Sequence, residues 1–344
     1  MRAAHITEFG GNEKVKVGDV PTPEPKVGEV LVRVKASALN HLDLWVRKGR
    51  PGLDLNKAHI LGSDAAGIVE QLGAGVSGVA LGDEVVINPG VSCMQCEFCR
   101  RGAHSECPSF RLLGFQLEGV HAQYIAVPAC NLGQKPKHLS WEEAAAVPLS
   151  HLTAWHMLFD RARMQVGETV LIHGIGGGVA LAALQLVVLQ GGTAIVTSSS
   201  DEKLERARAQ GATASVNYKT TPDVGAEVKR ITQGCGVDLA FDTAGAATLA
   251  ASFGALRRGG RVVTCGVTSG PKAEVNLQSL YWNHHSLIGS TLGSQEDFRM
   301  LLRAVTNARL KPVLDQVFPL DHVAAALARM EAGQQFGKIA LQMP

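Results

Sequence analysis

The sequence predicts an α/β protein of two domains, one rich in β-structure and one built on a doubly wound parallel sheet. Three observations predict it. The chain has 344 residues, more than one ordinary small domain holds. Its first 150 residues carry Gly, Pro and short β-type runs, whereas strands and helices alternate beyond them. Hydrophobic residues make up 46% and charged residues 19%, enough apolar material for a full core.

Taken in order, residues 31–34 and 83–87 read as short strands, the first of them alternating. Pro-rich breaks at 21–25 and a Gly73-Ala74-Gly75 turn separate such runs. Ser140 is placed to cap a helix that starts at Trp141. Residues 169–172 then read as a strand, followed by a glycine loop and a helix from Val179. Further strands fall at 194–197, 214–217, 237–242, 261–265 and 286–288, with Ser200 capping a helix that begins near Asp201. Strands alternating with helices imply right-handed βαβ units and hence a parallel sheet. Helices near 295–307 and 321–332 and a strand at 338–342 close the chain. There is no internal repeat and no low-complexity tract.

Charge and composition exclude several classes. A formal net charge of +2 sets up no field that would draw nucleic acid or an anionic membrane. The opening residues lack the apolar stretch of a secretory signal, and residues 179–189 are too short to span a bilayer. Of seven cysteines, four crowd between positions 93 and 107. Without an export signal, that crowding reads as metal binding in a reducing cytoplasm rather than as disulfides.

Cys93, Cys96, Cys99 and Cys107 offer four thiolates from one loop. Four thiolates in a closed tetrahedron suit one structural zinc per chain. An iron–sulfur cluster is the nearest rival, since Cys107-Pro108 fits a ferredoxin cue, but the seven-residue gap before Cys107 does not. Four free thiols would be an oxidation-prone cluster without purpose. Cys130, Cys235 and Cys265 are isolated and read as ordinary small residues.

The glycine loop follows the first strand of the alternating region and contains Gly174, Gly176, Gly177, Gly178 and Val179. Glycines there let the backbone approach a pyrophosphate, and the helix that follows offers N–H donors at its positive end. Ile175 stands where the first fingerprint glycine belongs, and Gly174, immediately before it, is placed to fill that role. At the end of the next strand, Thr197, Ser198, Ser199 and Ser200 are all neutral, where an NAD site usually carries an acidic residue. Neutral hydroxyls with Lys203 one turn further on suit a 2′-phosphate, so the expected cofactor is NADP(H). The other reading leaves Ser200 as a helix cap and Lys203 as a surface charge.

Together these residues resemble the medium-chain dehydrogenase/reductase superfamily, which contains zinc alcohol dehydrogenases and quinone oxidoreductases. The resemblance covers essentially the whole chain. It rests on the cysteine loop, the late glycine-rich βαβ region and Gly62-Ser63-Asp64-Ala65-Ala66-Gly67 with Gly73 and Val76, spaced as in the alcohol dehydrogenase signature G-H-E-x2-G-x5-G-x2-V. It implies a GroES-like catalytic domain over 1–150 and 291–344, a Rossmann cofactor domain over 151–290, and a homodimer or homotetramer formed through the edge of the Rossmann sheet near residues 286–288. The family's catalytic zinc takes a Cys, a His and a second Cys. Here Asn40 and Ser63 stand in the first two places, and the third, near 147–150, has no thiol. The hydroxyl and histidine of the usual proton relay fall at Leu42 and Trp45.

That pattern is similar to the quinone oxidoreductase branch, whose N-x-x-D segment Asn40 and Asp43 match. The branch implies Lys203 and Tyr218 on a 2′-phosphate, with Thr153, Gly266, Ser290 and Lys338 near the cofactor. The expected reaction is hydride transfer from NADPH to a quinone, enone or enal without a catalytic zinc. Asn40 could donate to the substrate carbonyl or the nicotinamide ribose, Asp43 could orient the backbone, and His41 is a candidate proton donor. His151 is a weaker candidate. A second reading is an alcohol dehydrogenase that recruits zinc through Asp64 with His41 or His59. A third is a non-enzymatic cofactor-binding protein. The expected partners are a small-molecule substrate and further copies of the chain, with no nucleic acid and no membrane.

Overall fold

A computed structural model describes every residue of the chain except 50, 52, 54, 56 and 57. The chain divides into two compact units, Met1–Leu152 with Gly293–Pro344, and Thr153–Leu292.

The first unit is organised by the strand Glu29–Ala38, which is buried along most of its length rather than on alternate residues. It can be buried on both faces because its antiparallel neighbour Asp64–Leu72 presents small residues, with Val34 opposite Gly67, Ala36 opposite Ala66 and Ser37 opposite Ala65. A Cβ added at Gly67 would lie 2.3 Å from the Arg33 carbonyl oxygen, so no larger residue fits this pairing. On the other side, Lys338–Gln342 pairs antiparallel, with Ala340 opposite Ala38. The complete sheet has seven strands. Its valines and leucines, among them Val30, Val32, Val34, Val69, Val85 and Leu341, form the core of the unit.

These registers fix the position of one loop. Ala38 pairs with Asp64 on one side and with Ala340 on the other, so the chain leaving Ala38 delivers Asn40 between Asp64 and Lys338. Gly62 turns into that junction at φ +100°, and a Cβ there would press within 2.4 Å of the His121 ring. Both facts demand glycine.

The second unit is a six-stranded parallel sheet, here numbered β1 Thr169–Ile172, β2 Thr193–Ser198, β3 Ala214–Asn217, β4 Val237–Asp242, β5 Leu256–Thr264 and β6 Ser286–Gly289. Their spatial order is β3-β2-β1-β4-β5-β6, a doubly wound sheet. The first three strands step outward from β1 on one side, and the next three on the other. The crevice between β1 and β4 is therefore the topological switch point, where such sheets bind ligands beyond the strands' carboxyl ends. Leu171, Ile195, Val216, Val237, Ala240 and Val262 fill a share of the core.

Most elements fall where the sequence places them, and the departures have local causes. The run expected at 261–265 starts five residues earlier, at Leu256, with a register shift beside Val237 that admits exposed Arg257 and Arg258 into the strand. The helix expected from 321 begins as the 3₁₀ turn Leu320–His322 and is α-helical only over Val323–Glu331. The helix Pro148–Trp155 runs on into a π-helical stretch, His156–Arg161, that periodicity does not announce. Among the described residues, no helix is long and apolar enough to cross a membrane.

Candidate functional site

The four cysteines are brought together. Among the described residues they are the one group of His, Cys, Asp and Glu side chains arranged to hold a metal, with all four Sγ atoms within 4.8 Å of one another. Cys93 Sγ lies 3.9 Å from Cys99 Sγ and 3.6 Å from Cys107 Sγ. Sulfurs on a tetrahedral zinc with Zn–S bonds of about 2.3 Å would be about 3.8 Å apart. Backbone N–H groups point at the thiols: Cys96 N donates to Cys93 Sγ at 3.4 Å, Cys99 N to Cys96 Sγ at 3.5 Å, and Cys93 N to Cys107 Sγ at 3.5 Å. The amides of Gln95 and Cys96 bring the Cys93 thiol down to about 6. The loop is thus built to hold thiolates, and the group it fits is zinc.

The second cluster gathers at the junction of the three strands. Asp64 is fully buried; its Oδ1 accepts from Leu149 N at 2.6 Å, and its Oδ2 from Asn40 Nδ2 at 2.9 Å and Lys338 Nζ at 2.8 Å. Lys338 Nζ also donates to Leu39 O and Asn40 Oδ1, each at 2.7 Å. All three of its N–H donors are spent within the unit. The resemblance puts Lys338 at the cofactor; its buried ammonium instead ties Leu39, Asn40 and Asp64 together, and no donor remains for a phosphate. Asn40 is likewise committed, one amide N–H going to Asp64 and the other facing Ala38 O at 3.5 Å.

Asp43 accepts from Asn40 N at 2.7 Å and Gly62 N at 3.0 Å, so it orients two stretches of backbone. His121, which the sequence did not single out, lies beneath, with Nδ1 2.8 Å from Ser37 Oγ and Nε2 3.7 Å from Asp43 Oδ2. The next helix, His41–Lys48, leaves His41 exposed, 6.5 Å from Trp45 between ring centroids. Surrounding protein and the Lys338 charge lower the His41 pKa, with Asp43 opposing. Held neutral at pH 7, His41 can accept or relay a proton better than it can deliver one.

Among the described residues, Asp64, His41 and His59, the alternative zinc ligands, are not gathered into a metal-holding group. Both Asp64 oxygens are engaged, His59 Nε2 is 3.2 Å from Gly114 O, and Ser63 Oγ donates to Leu113 O.

In the second unit, Gly174 and Gly176 take φ of +68° and +119°, and Gly177 caps the helix Gly178–Leu189. Ile175 is buried, its N–H on Thr197 O at 2.8 Å, and anchors the loop. A Cβ at Gly174 would meet nothing within 4 Å, so the backbone there is open. Val179 lies in the first turn of the helix, half-buried. Ser290 Oγ is buried without a hydrogen-bond partner among the described residues, an orphan that a bound group would satisfy. Open glycines at a helix N-terminus and an unpaired hydroxyl fit a dinucleotide.

Ser200 Oγ accepts from Lys203 N at 3.3 Å and so caps its helix; Ser199 and Lys203 are half-buried and Tyr218 is exposed. Gly266 has its own reason to be glycine, since a Cβ there would collide with Thr243 O at 1.8 Å. Thr153 is buried in the helix Pro148–Trp155, and His151 Nδ1 lies 3.1 Å from Ser150 Oγ.

Fold and sites define a nicotinamide-dependent oxidoreductase with a structural zinc. Residues 26–137 match the alcohol dehydrogenase GroES-like domain family, and residues 178–307 the zinc-binding dehydrogenase family. A zinc-type alcohol dehydrogenase-like protein of Schizosaccharomyces pombe is 34% identical over 98% of this chain and 97% of its own. A crotonyl-CoA reductase of Streptomyces avermitilis is 32% identical over 95% of this chain and 81% of its own. A crystal structure described as an NAD-dependent alcohol dehydrogenase superimposes with a TM-score of 0.94 at 44% identity, covering both chains fully. The chain belongs to the medium-chain dehydrogenase/reductase superfamily.

Two outcomes are expected. Elemental analysis of chelator-washed protein should find one zinc per chain, and Cys93→Ser should lose it and melt earlier; two zincs per chain would contradict the geometry. Lys338→Met should leave Asp64 buried and uncompensated, costing about 3–5 kcal/mol in chemical denaturation. A loss near zero would show that the ammonium is not what holds the junction.

Proposed function

We propose that the protein reduces carbonyl-conjugated acceptors, such as enals, enoyl thioesters or quinones, with NADPH and without a metal at the reaction centre. One observation carries the reading: the Lys338 ammonium, bound by Leu39 O, Asn40 Oδ1 and Asp64 Oδ2, occupies the junction where the family's metal ligands belong. Asn40 and Ser63 there are amide and hydroxyl groups, poor ligands for zinc. The kinship with a crotonyl-CoA reductase, named for an enoyl substrate, favours the same class of acceptor.

Reduced nicotinamide supplies a hydride when bound, and a conjugated acceptor takes it at carbon without a Lewis acid. This chain's own contribution is placement and polarisation. Gly174, Gly176, Gly177 and Gly178 would receive the pyrophosphate, and Ser290 would meet the cofactor with its unpaired hydroxyl. Ser199, Lys203 and Tyr218 would surround a 2′-phosphate. His41, exposed and neutral, is the group available to hydrogen-bond an acceptor oxygen and pass it a proton from solvent. Asn40, Asp43 and Lys338 hold the loop that presents it.

A second reading, an NAD-dependent alcohol dehydrogenase, is favoured by the 44% identity to a structure so described. Chelator-treated protein is to be assayed for NADPH oxidation with crotonyl-CoA, an enal and a quinone, and for alcohol oxidation with NAD. The proposal expects reduction of at least one acceptor, unchanged by added zinc. Alcohol oxidation that appears only with added zinc would overturn it.

We also propose a homo-oligomer joined along β6. That edge strand exposes Leu287, and the preceding helix Leu277–Trp282 exposes Leu277, Tyr281 and Trp282, a surface suited to a second copy. Sedimentation should find at least a dimer, dissociated by Leu287→Lys; a monomeric wild-type chain would refute the assignment.

A further inference from the structure

A chain of buried polar groups runs beneath the glycine loop of the second unit and crosses the switch point of its sheet. His173 directly follows β1 and is 2% exposed; Asp242 ends β4 and is fully buried. His173 Nε2 lies 3.0 Å from Ser252 Oγ, and Ser252 Oγ donates to Asp242 Oδ2 at 3.2 Å. On the other side of the ring, Nδ1 lies 3.3 Å from Thr197 Oγ1, which accepts from Gly174 N at 3.2 Å.

The directions of these bonds are mutually determined. Asp242 only accepts, so Ser252 spends its proton there and its oxygen must accept from His173 Nε2–H. In a neutral ring Nδ1 is then bare and accepts from the Thr197 hydroxyl, whose oxygen is left to accept from the Gly174 amide. The network thus places the one proton of a neutral ring on Nε2. Burial lowers the His173 pKa, which agrees with the neutral form. The far end is anchored as firmly: Asp242 Oδ1 accepts from Ala244 N at 2.8 Å and Gly245 N at 2.9 Å, and Thr248 Oγ1 donates to Oδ2 at 2.7 Å. One carboxylate therefore reaches, through two hydroxyls and an imidazole, the first amide of the glycine loop and the loop after β4.

We propose that His173 and Thr197 are positioning residues that set the glycine loop for a dinucleotide pyrophosphate by tying it to Asp242 across the sheet's switch point. The inference rests on nucleotide binding at this loop. Neither residue touches the ligand in this role. Each acts by fixing Gly174, whose φ of +68° the chain would otherwise be free to leave.

The test measures dissociation constants of three probes on the full chain: NADPH, ADP, and adenosine 2′-monophosphate, which lacks a diphosphate. Thr197→Val removes one hydroxyl at nearly constant volume, and His173→Phe removes the ring nitrogens. Each should weaken ADP and NADPH by about tenfold, the worth of one strong hydrogen bond, and leave adenosine 2′-monophosphate unchanged. Thr197→Ser, which keeps the hydroxyl, should restore wild-type binding. Circular dichroism and thermal melting accompany each variant, and Thr197→Val remains decisive if His173→Phe does not fold. Unchanged ADP binding in Thr197→Val, or equal weakening of all three probes, would overturn the proposal. Failure of the wild-type chain to bind ADP or NADPH would instead remove the nucleotide site itself, and the proposal with it.

Discussion

The ammonium of Lys338 is fully enclosed and meets acceptors from positions 39, 40 and 64, segments separated from it by 274 residues or more. A buried charge is tolerable only where its donors are all used and an opposite charge faces it. Both conditions hold, and they restrain the first unit as a whole. The last strand must pair with Glu29–Ala38 in a register that puts Lys338 beside Leu39, and Asp64 must open its strand opposite Ala38. Gly62 and Asp43 then fall into place around the same junction. A slip by one residue at either ladder would turn these side chains to the other face and strand three polar groups in the core.

Such a junction is only half legible in sequence. Asn40, Asp43 and Asp64 draw notice because they sit in recognisable spacing. The lysine's partner choice is invisible, because it depends on a strand ladder formed by the far end of the chain. Local signals read well where local physics decides: Ser140 forms a capping box, and the helix Gln295–Asn307 starts and stops where the sequence places it. The strand Asp64–Leu72 is harder to see. Its first half is Asp-Ala-Ala-Gly, residues of low β-propensity, and at Gly67 the neighbouring strand approaches too closely for any side chain. His121, His173 and Ser252 escape notice for a similar reason. Lone polar residues in apolar runs become meaningful only when the fold sets them next to each other.

The cysteine loop answers a different problem. Between the strand Gly90–Val91 and its partner Arg111–Leu112 lie only a four-residue helix and one 3₁₀ turn, and nearly all side chains there are exposed or half-buried. Cys99 and Cys107 are its buried apolar residues. Hydrophobic burial cannot order such a loop, because little apolar area leaves water. Four thiolates on one ion can, and metal binding then supplies folding free energy that packing does not.

The NADP preference proposed for this chain rests on how charge is arranged at the end of β2. The carboxylate in the neighbourhood belongs to Asp201, first residue of its helix, and its Oδ1 accepts from Asn217 Nδ2 at 2.7 Å. Bound there, at the positive end of a helix, the acid is satisfied where it stands. A carboxylate reading a ribose 2′-OH needs its lone pairs free, and one beside a 2′-phosphate would repel it unless restrained and offset. Asn217 restrains it, and Lys203, two positions along the same helix, carries the offsetting charge. Kinship with a solved structure described as an NAD-dependent enzyme does not by itself decide between the two cofactors, for cofactor choice lives in a few side chains and the shared fold constrains none of them.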